Sequence, residues 1–299
     1  MEFGDLTRRF KDEQKKESFN ILQKFILNTK EPFFIGRLSG NETNFCGKVL
    51  NQIDIPEDLM KDMLYSAGIN FKSNDDVKEY VRLYIKSCLN VNYLGIWSKI
   101  TYKKGENFFN FLKKMEIKHP VKKICAHGLD FFNYLDNNYK LHQYFKNKKV
   151  LIITSHINTA HKQYENIDKL FGKNIFHSTT KLFFYKPPQQ NGGNHDNRSW
   201  RLHYEKLKIE LGYLNEEYDF DIALVSCGGF GMLASNYIFT EFKKSVIYVG
   251  GSLQLFLGIL GRRWTQNEDV KKLINKYWVF PDESDKPKNT LLCDNSCYW

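Results

Sequence analysis

The chain has 299 residues, enough to bury a core as one large α/β domain or one and a half. Its 42% hydrophobic and 26% charged content excludes a disordered chain. The net charge of +10 comes largely from scattered lysines such as Lys103–Lys104, Lys113–Lys114, Lys122–Lys123 and Lys148–Lys149. That scatter reads first as a solvated basic surface, second as attraction for an anionic phosphate or glycan, and last as a nucleic-acid footprint. The six cysteines lack the two close pairs of a zinc site, and no apolar run reaches bilayer length. The N-terminus is charged and unlike a signal peptide, so a reduced, cytoplasmic protein is the expectation.

Residues 5–30 carry helical spacing, with Phe10, Phe19, Leu22, Phe25 and Ile26 on one face. A short apolar strand follows Pro32 and runs into the polar turn Arg37–Glu42, with a helix expected from about Asn44. Helical spacing returns over 57–67 and 75–90, the second capped from the Ser73–Asp76 cluster. Tyr93–Trp97 reads as a strand. Residues 106–145 read as mostly helical, broken at Pro120 and Gly128, with no clear assignment for Cys125–His127.

Lys149–Ser155 has the apolar run of a parallel strand, and the next helix carries His161, Gln163 and Tyr164. Residues 174–197 form a long irregular passage, where Pro187–Pro188 and Gly192–Gly193 exclude regular structure; a loop of that length is usually functional or mobile. A charged helix spans 198–217. Phe220–Trp264 then reads strand, Gly turn, helix, strand, Gly turn, helix, which is the pattern of parallel βαβ units. Phe230–Lys244 is long enough to be a crossover. A polar helix over 268–276 and a polar tail close the chain. The expected fold is α/β, Rossmann-like, with a mostly parallel sheet, helices on both faces and a helical N-terminal and middle region. One domain over 1–299 is expected, with possible sub-lobes 1–148, 149–264 and 265–299.

Four groups of residues carry chemistry. Arg37, Ser39, Asn41 and Glu42 end a strand: the carboxylate suits a divalent metal or sugar hydroxyls, and the arginine a phosphate. The alternative is an Arg37–Glu42 pair pinning a turn, with Asn44 as a helix cap. His156, after the 149–155 strand, suits a general base or a hydrogen-bond donor, or else simple packing. Gly228 and Gly229, then Gly250 and Gly251 with Gln254, sit at strand carboxyl ends where open α/β sheets place ligands. They match neither the dinucleotide fingerprint nor the P-loop, and tight turns explain them equally well. Arg262–Arg263–Trp264 suits a diphosphate clamp with a stacking ring, or a basic helix end.

Three segments together resemble the glycosyltransferases of the GT-D fold, including relatives from polysaccharide clusters and large DNA viruses. FFIGRLSGNE (33–42) is similar to that family's first strand, which ends Arg-Phe-Gly-Asp-Gly-Glu. KVLIITSHINTAHKQYENIDKLF (149–171) looks like a strand–turn–helix of the group, with Gln163–Tyr164 at its Gln-Tyr pair. CGGFGMLASNYI (227–238) with YVGGSLQLFLGILGRRW (248–264) is the most specific match. The resemblance implies transfer of a sugar from a nucleotide-sugar donor, usually a UDP-sugar, to a glycan or other hydroxyl acceptor. The reaction would run in the cytoplasm (the host's, if the chain is virus-encoded). It also implies a divalent metal, Mn or Mg, at the family's Asp-x-Glu motif. Here Gly40 stands in place of the Asp, so Glu42 alone carries over as metal ligand.

On that reading Glu42 and His156 are the catalytic candidates, and Gln189 on the long loop faces the acceptor. Arg37, Ser39, Asn41, Gly228, Gly229, Gly250, Gly251, Gln254 and Arg263 bind the donor. Two other classes stay open. One is a Rossmann-like phosphate-handling or methyl-transferring enzyme, and the other is a non-catalytic glycan- or nucleic-acid-binding module.

Overall fold

The computed structural model describes residues 11–97, 108, 110, 121–136 and 138–299. Seven strands form one all-parallel sheet: β1 (Phe34–Arg37), β2 (Tyr93–Ile96), β3 (Lys122–Cys125), β4 (Lys149–Thr154), β5 (Lys181–Tyr185), β6 (Ile222–Ser226) and β7 (Ser245–Tyr248). Their order is β3-β2-β1-β7-β6-β4-β5. The α/β, Rossmann-like class read from the sequence is therefore the class the chain adopts. Strands from either side of Lys148 share this sheet, because Phe34 of β1 pairs with Val246 of β7.

The helices are α1 (Asp12–Asn28), α2 (Gly40–Leu50), α3 (Glu57–Tyr65), α4 (Asn74–Leu89), α5 (Leu141–Tyr144), α6 (Ile157–Gln163), α7 (Trp200–Tyr218), α8 (Gly231–Glu241), α9 (Leu253–Phe256), α10 (Arg262–Thr265) and α11 (Glu268–Lys271). Successive strand residues point to opposite faces, so each strand feeds two cores. Ala223 and Val225 of β6 pack with α2, α3, α4, α7 and α8 on one side. Ile222 and Leu224 pack with α1, α5, α6 and α9 on the other. Crossovers running toward β3, such as β1 to β2 and β6 to β7, lie on the first face, and those running toward β5, such as β4 to β5, on the second. All of these connections thus have the same hand, as parallel βαβ units require.

Several expectations are corrected. The helix after β1 starts at Gly40 rather than near Asn44: Ser39 is the N-cap residue, and the Thr43 amide closes the first turn on the Ser39 carbonyl at 3.3 Å. Glu42 therefore lies in the first turn of a helix, not in an open loop. Arg37 does not pin that turn through Glu42, since its acid partner is Asp130. Within the stretch expected to be helical, Lys122–Cys125 is strand β3, and Ala126–Leu129 is a 3-10 turn. Strand β5 lies inside the passage expected to be irregular. The polar helix over 268–276 shortens to Glu268–Lys271. The Ser73 cap stands as expected, its side chain accepting from the Asp76 amide. Residues 5–10 of the first expected helix, and 106, 107, 109, 111–120 and 137 of the middle one, lie outside the described residues.

The loop 186–199 is tied at its middle and at its C-terminal end to other elements rather than hanging free. The Gly192 amide donates to Tyr65 O at 2.8 Å, and the Asn289 amide to Gly192 O at 2.8 Å. Asn70 Nδ2 bonds the Asp196 and Arg198 carbonyls. This loop and the tail wall one end of the sheet.

Candidate functional site

A parallel sheet brings all its carboxyl ends to one edge, and here that edge opens into a cavity of about 1180 Å³. Of the residues singled out from the sequence, Arg37, Ser39, Asn41, Glu42, His156, Gln189, Gly228, Gly250, Gly251, Gln254 and Arg263 line it. Gly229 does not: its amide donates to Ala67 O at 2.8 Å, and a Cβ there would lie 2.5 Å from Ile69. Close packing inside the protein, rather than approach to a ligand, explains that glycine.

Arg37 is the hub of the floor. Its Nη1 donates to Asp130 Oδ1 at 3.2 Å, to Ser252 Oγ at 2.8 Å and to the Val249 carbonyl. Its guanidinium carbon lies 4.3 Å from the Trp97 ring centroid. One side chain thus joins the ends of β1, β2, β3 and β7. Burial by itself would raise the Asp130 pKa, but the Arg37 charge, with His127 and Ser252, outweighs it and holds the carboxyl below its ordinary range. Asp130 belongs to no sequence motif; its only sequence signal is an acid five residues past β3, a strand without a continuous apolar run.

Glu42 is 5% exposed, and among the described residues it forms no ion pair. Burial pushes its carboxyl up to about 7, the Asp294 charge acts in the same direction, and a hydrogen bond from its own backbone amide opposes them. His156 is also 5% exposed, with its ring centroid 4.4 Å from that of Trp299. Burial pushes the imidazole down to about 4, against the opposing pull of Asp285 and a hydrogen bond with Gln254. At neutral pH it is uncharged.

The two glycine turns differ. Gly228 has φ +54° and lies under the Ala67 carbonyl, which a Cβ would meet at 2.8 Å. Gly250 has φ +70°, yet its nearest neighbour would be Arg37 Cδ at 3.6 Å, so there is room beside the cavity at this position, whereas a Cβ at Gly251 would lie 2.3 Å from the Tyr298 ring. Arg263 donates to the Tyr298 hydroxyl at 3.1 Å and lies 4.8 Å over that ring. Among the described residues Arg263 has no acid in contact, in contrast to Arg37.

The cavity wall carries Lys15, Lys16, Arg37, Arg263 and Lys272 against Asp12, Glu42, Asp130, Asp136, Asp269 and Asp294. The basic excess of the chain is therefore not on this wall. With Gly40 in place of an acid, Glu42 is the one carboxylate on this turn. Among the described residues, no group of three or more His, Cys, Asp or Glu is placed to hold a metal ion.

Half of the ten polar atoms buried without a hydrogen-bond partner among the described residues are found here. Ser39 Oγ, His156 Nδ1, Asn191 Oδ1, Trp264 Nε1 and Trp299 Nε1 all belong to residues of the cavity wall. Buried polar groups are normally satisfied, so these five offer hydrogen bonds to water or to a polar ligand in the cavity; the other five such atoms among the described residues lie away from it. Sequence reading missed Asp130, Asn191, Asp294 and Trp299, which lie far from β1 and the glycine turns in the chain.

Fold and cavity define an α/β protein with a polar site at the carboxyl edge of its sheet. Compared with known proteins, the chain matches no family model and no curated protein.

Proposed function

We propose that this chain is a glycosyltransferase that moves a sugar from a nucleotide-sugar donor to a hydroxyl acceptor in the cavity described above. The observation that supports this most is the convergence of the donor segments on one site. The turn after β1, both glycine turns and Arg263 share one cavity, although they are spread from residue 37 to residue 263. Its volume suits a nucleotide sugar with part of an acceptor beside it.

The donor diphosphate falls to the Gly250–Gly251 turn and Arg263, the cavity arginine that touches no acid among the described residues. Arg37, neutralised by Asp130, shapes the floor. Glu42 is the base: a carboxyl that titrates near 7 takes a proton at neutral pH and remains a weak enough acid to keep it. It accepts the proton of the acceptor hydroxyl as that oxygen bonds the anomeric carbon and the nucleoside diphosphate departs. With its imidazole at about 4, His156 is a poor base and serves as a neutral hydrogen-bonding partner. The balanced charge of the wall lends no support to a nucleic-acid site.

Incubation of the full chain with UDP- and GDP-sugars tests the reading by release of nucleoside diphosphate. At least one donor should be turned over, and Glu42→Gln should slow it on the order of 100-fold or more, the usual contribution of a general base. Failure of every donor, with and without Mn²⁺ and with a range of saccharide acceptors, would end the proposal.

A further inference from the structure

Five of the unpartnered atoms lie on the cavity wall. Ser39 Oγ lies by Glu42 at the end of β1. The other four belong to His156 after β4, Asn191 on the 186–199 loop, Trp264 in α10 and Trp299 in the tail. These four come from segments spread over more than a hundred residues and share the same cavity wall.

Their donor and acceptor types decide what fits. The Gln254 side chain is the hydrogen-bonding neighbour of the His156 ring. The neutral tautomer with its proton on the Gln254 side leaves Nδ1 as a buried acceptor. Asn191 Nδ2 faces Cys293 Sγ at 3.4 Å, which leaves Oδ1 as a second acceptor. The two indole N–H groups are donors only. An anionic phosphate carries acceptors alone, so it would satisfy the indoles and be repelled by His156 Nδ1 and Asn191 Oδ1. A neutral hydroxyl both donates and accepts, and so meets both kinds of partner. Trp299 adds an aromatic surface, tilted at 52° to the His156 ring, against which the C–H face of a sugar ring packs.

We infer that the β4 side of the cavity is a saccharide subsite, in which His156, Asn191, Trp264 and Trp299 take the hydroxyls of an uncharged sugar ring. This extends the glycosyltransferase reading by locating its sugar, and it assigns a binding role to the tail segment. Trp299 is fixed for that role, since its carbonyl accepts from the Arg262 amide at 3.3 Å and its amide donates to Ser296 O at 3.1 Å.

Saturation-transfer NMR and calorimetric titration of the full chain provide the test, with free glucose, galactose, mannose and N-acetylglucosamine as probes, and UDP alone in parallel. At least one saccharide should bind. Trp299→Phe, which keeps a ring and removes the N–H, should weaken that saccharide about tenfold while UDP affinity stays within twofold. His156→Phe should do the same, with thermal unfolding confirming that both variants are folded. Saccharide binding that survives both substitutions within twofold, or no saccharide bound at all, would overturn the subsite. Competition of the free sugar by a UDP-sugar assigns the subsite to the donor, and simultaneous binding assigns it to the acceptor. Saccharide binding without any UDP binding would leave the subsite standing and remove the nucleotide-sugar reading.

Discussion

Asp130→Ala should destabilise the fold by about 3–5 kcal/mol, the usual cost of stranding one partner of a buried ion pair. Arg37 and Asp130 side chains are only 7% and 9% exposed, so neither finds water when the other is removed. Asp130 also holds His127 Nδ1 at 3.2 Å, which adds a second lost contact. Arg37→Met should cost a similar amount, since it leaves the Asp130 carboxylate buried and cancels the bonds to Val249 and Ser252. Replacing both, as Arg37→Met with Asp130→Leu, should cost clearly less than the sum, because no charge is then left buried. Urea unfolding of the four proteins measures this cycle. Strict additivity, or a single-variant cost under about 1 kcal/mol, would mean that the pair is not the hub of the site.

The second large effect is a pH dependence hidden in the native protein and exposed in its variants. Glu42 has a folded pKa near 7, above its ordinary 4.5, so the folded state holds its proton longer. Its contribution to stability is complete below 4.5 and is lost as pH rises through 7. His156 has a folded pKa near 4, below its ordinary 6.5, so its contribution is complete above 6.5 and is lost as pH falls through 4. Each amounts to about 3 kcal/mol across its window, at roughly 1.4 kcal/mol per pH unit. Between pH 4.5 and 6.5 the two slopes oppose and largely cancel. Glu42→Gln should therefore show stability climbing with pH over 4–6.5, and His156→Gln should show it falling over 4.5–7. Unfolding free energies in a pH series report both slopes. Parallel profiles for the two variants would refute the burial of these groups in the states described.

The central strands were legible in the sequence because strands paired on both sides are buried on both faces. Leu151–Ile153 and Ile222–Val225 are fully buried and read as unbroken apolar runs. The two missed strands are the sheet's outer ones. Lys122–Cys125 has two lysines in four residues, the first exposed, and Lys181–Tyr185 is only half-buried beyond its exposed lysine. A strand paired on one side needs no continuous apolar run, so periodicity does not announce it.

The same division holds for the site. Glycine turns after apolar strands can be read locally, and Gly228, Gly250, Arg37 and Glu42 do lie on one wall. The acid that neutralises Arg37 follows an outer strand, and Trp299 reaches His156 only through the path of the tail. Neither contact has a local signal. Gly229 shows the converse, a glycine within a telling motif that is required by Ala67 and Ile69 rather than by the cavity.

Binding of a nucleotide sugar in the carboxyl-edge cavity is read out by hydrogen–deuterium exchange with and without saturating UDP-sugar. Exchange should slow over residues 38–43, 227–231, 250–254 and 262–264, the backbone around the cavity, with the outer strands β3 and β5 unchanged. Unaltered exchange at all four segments, or protection confined to other parts of the molecule, would contradict it.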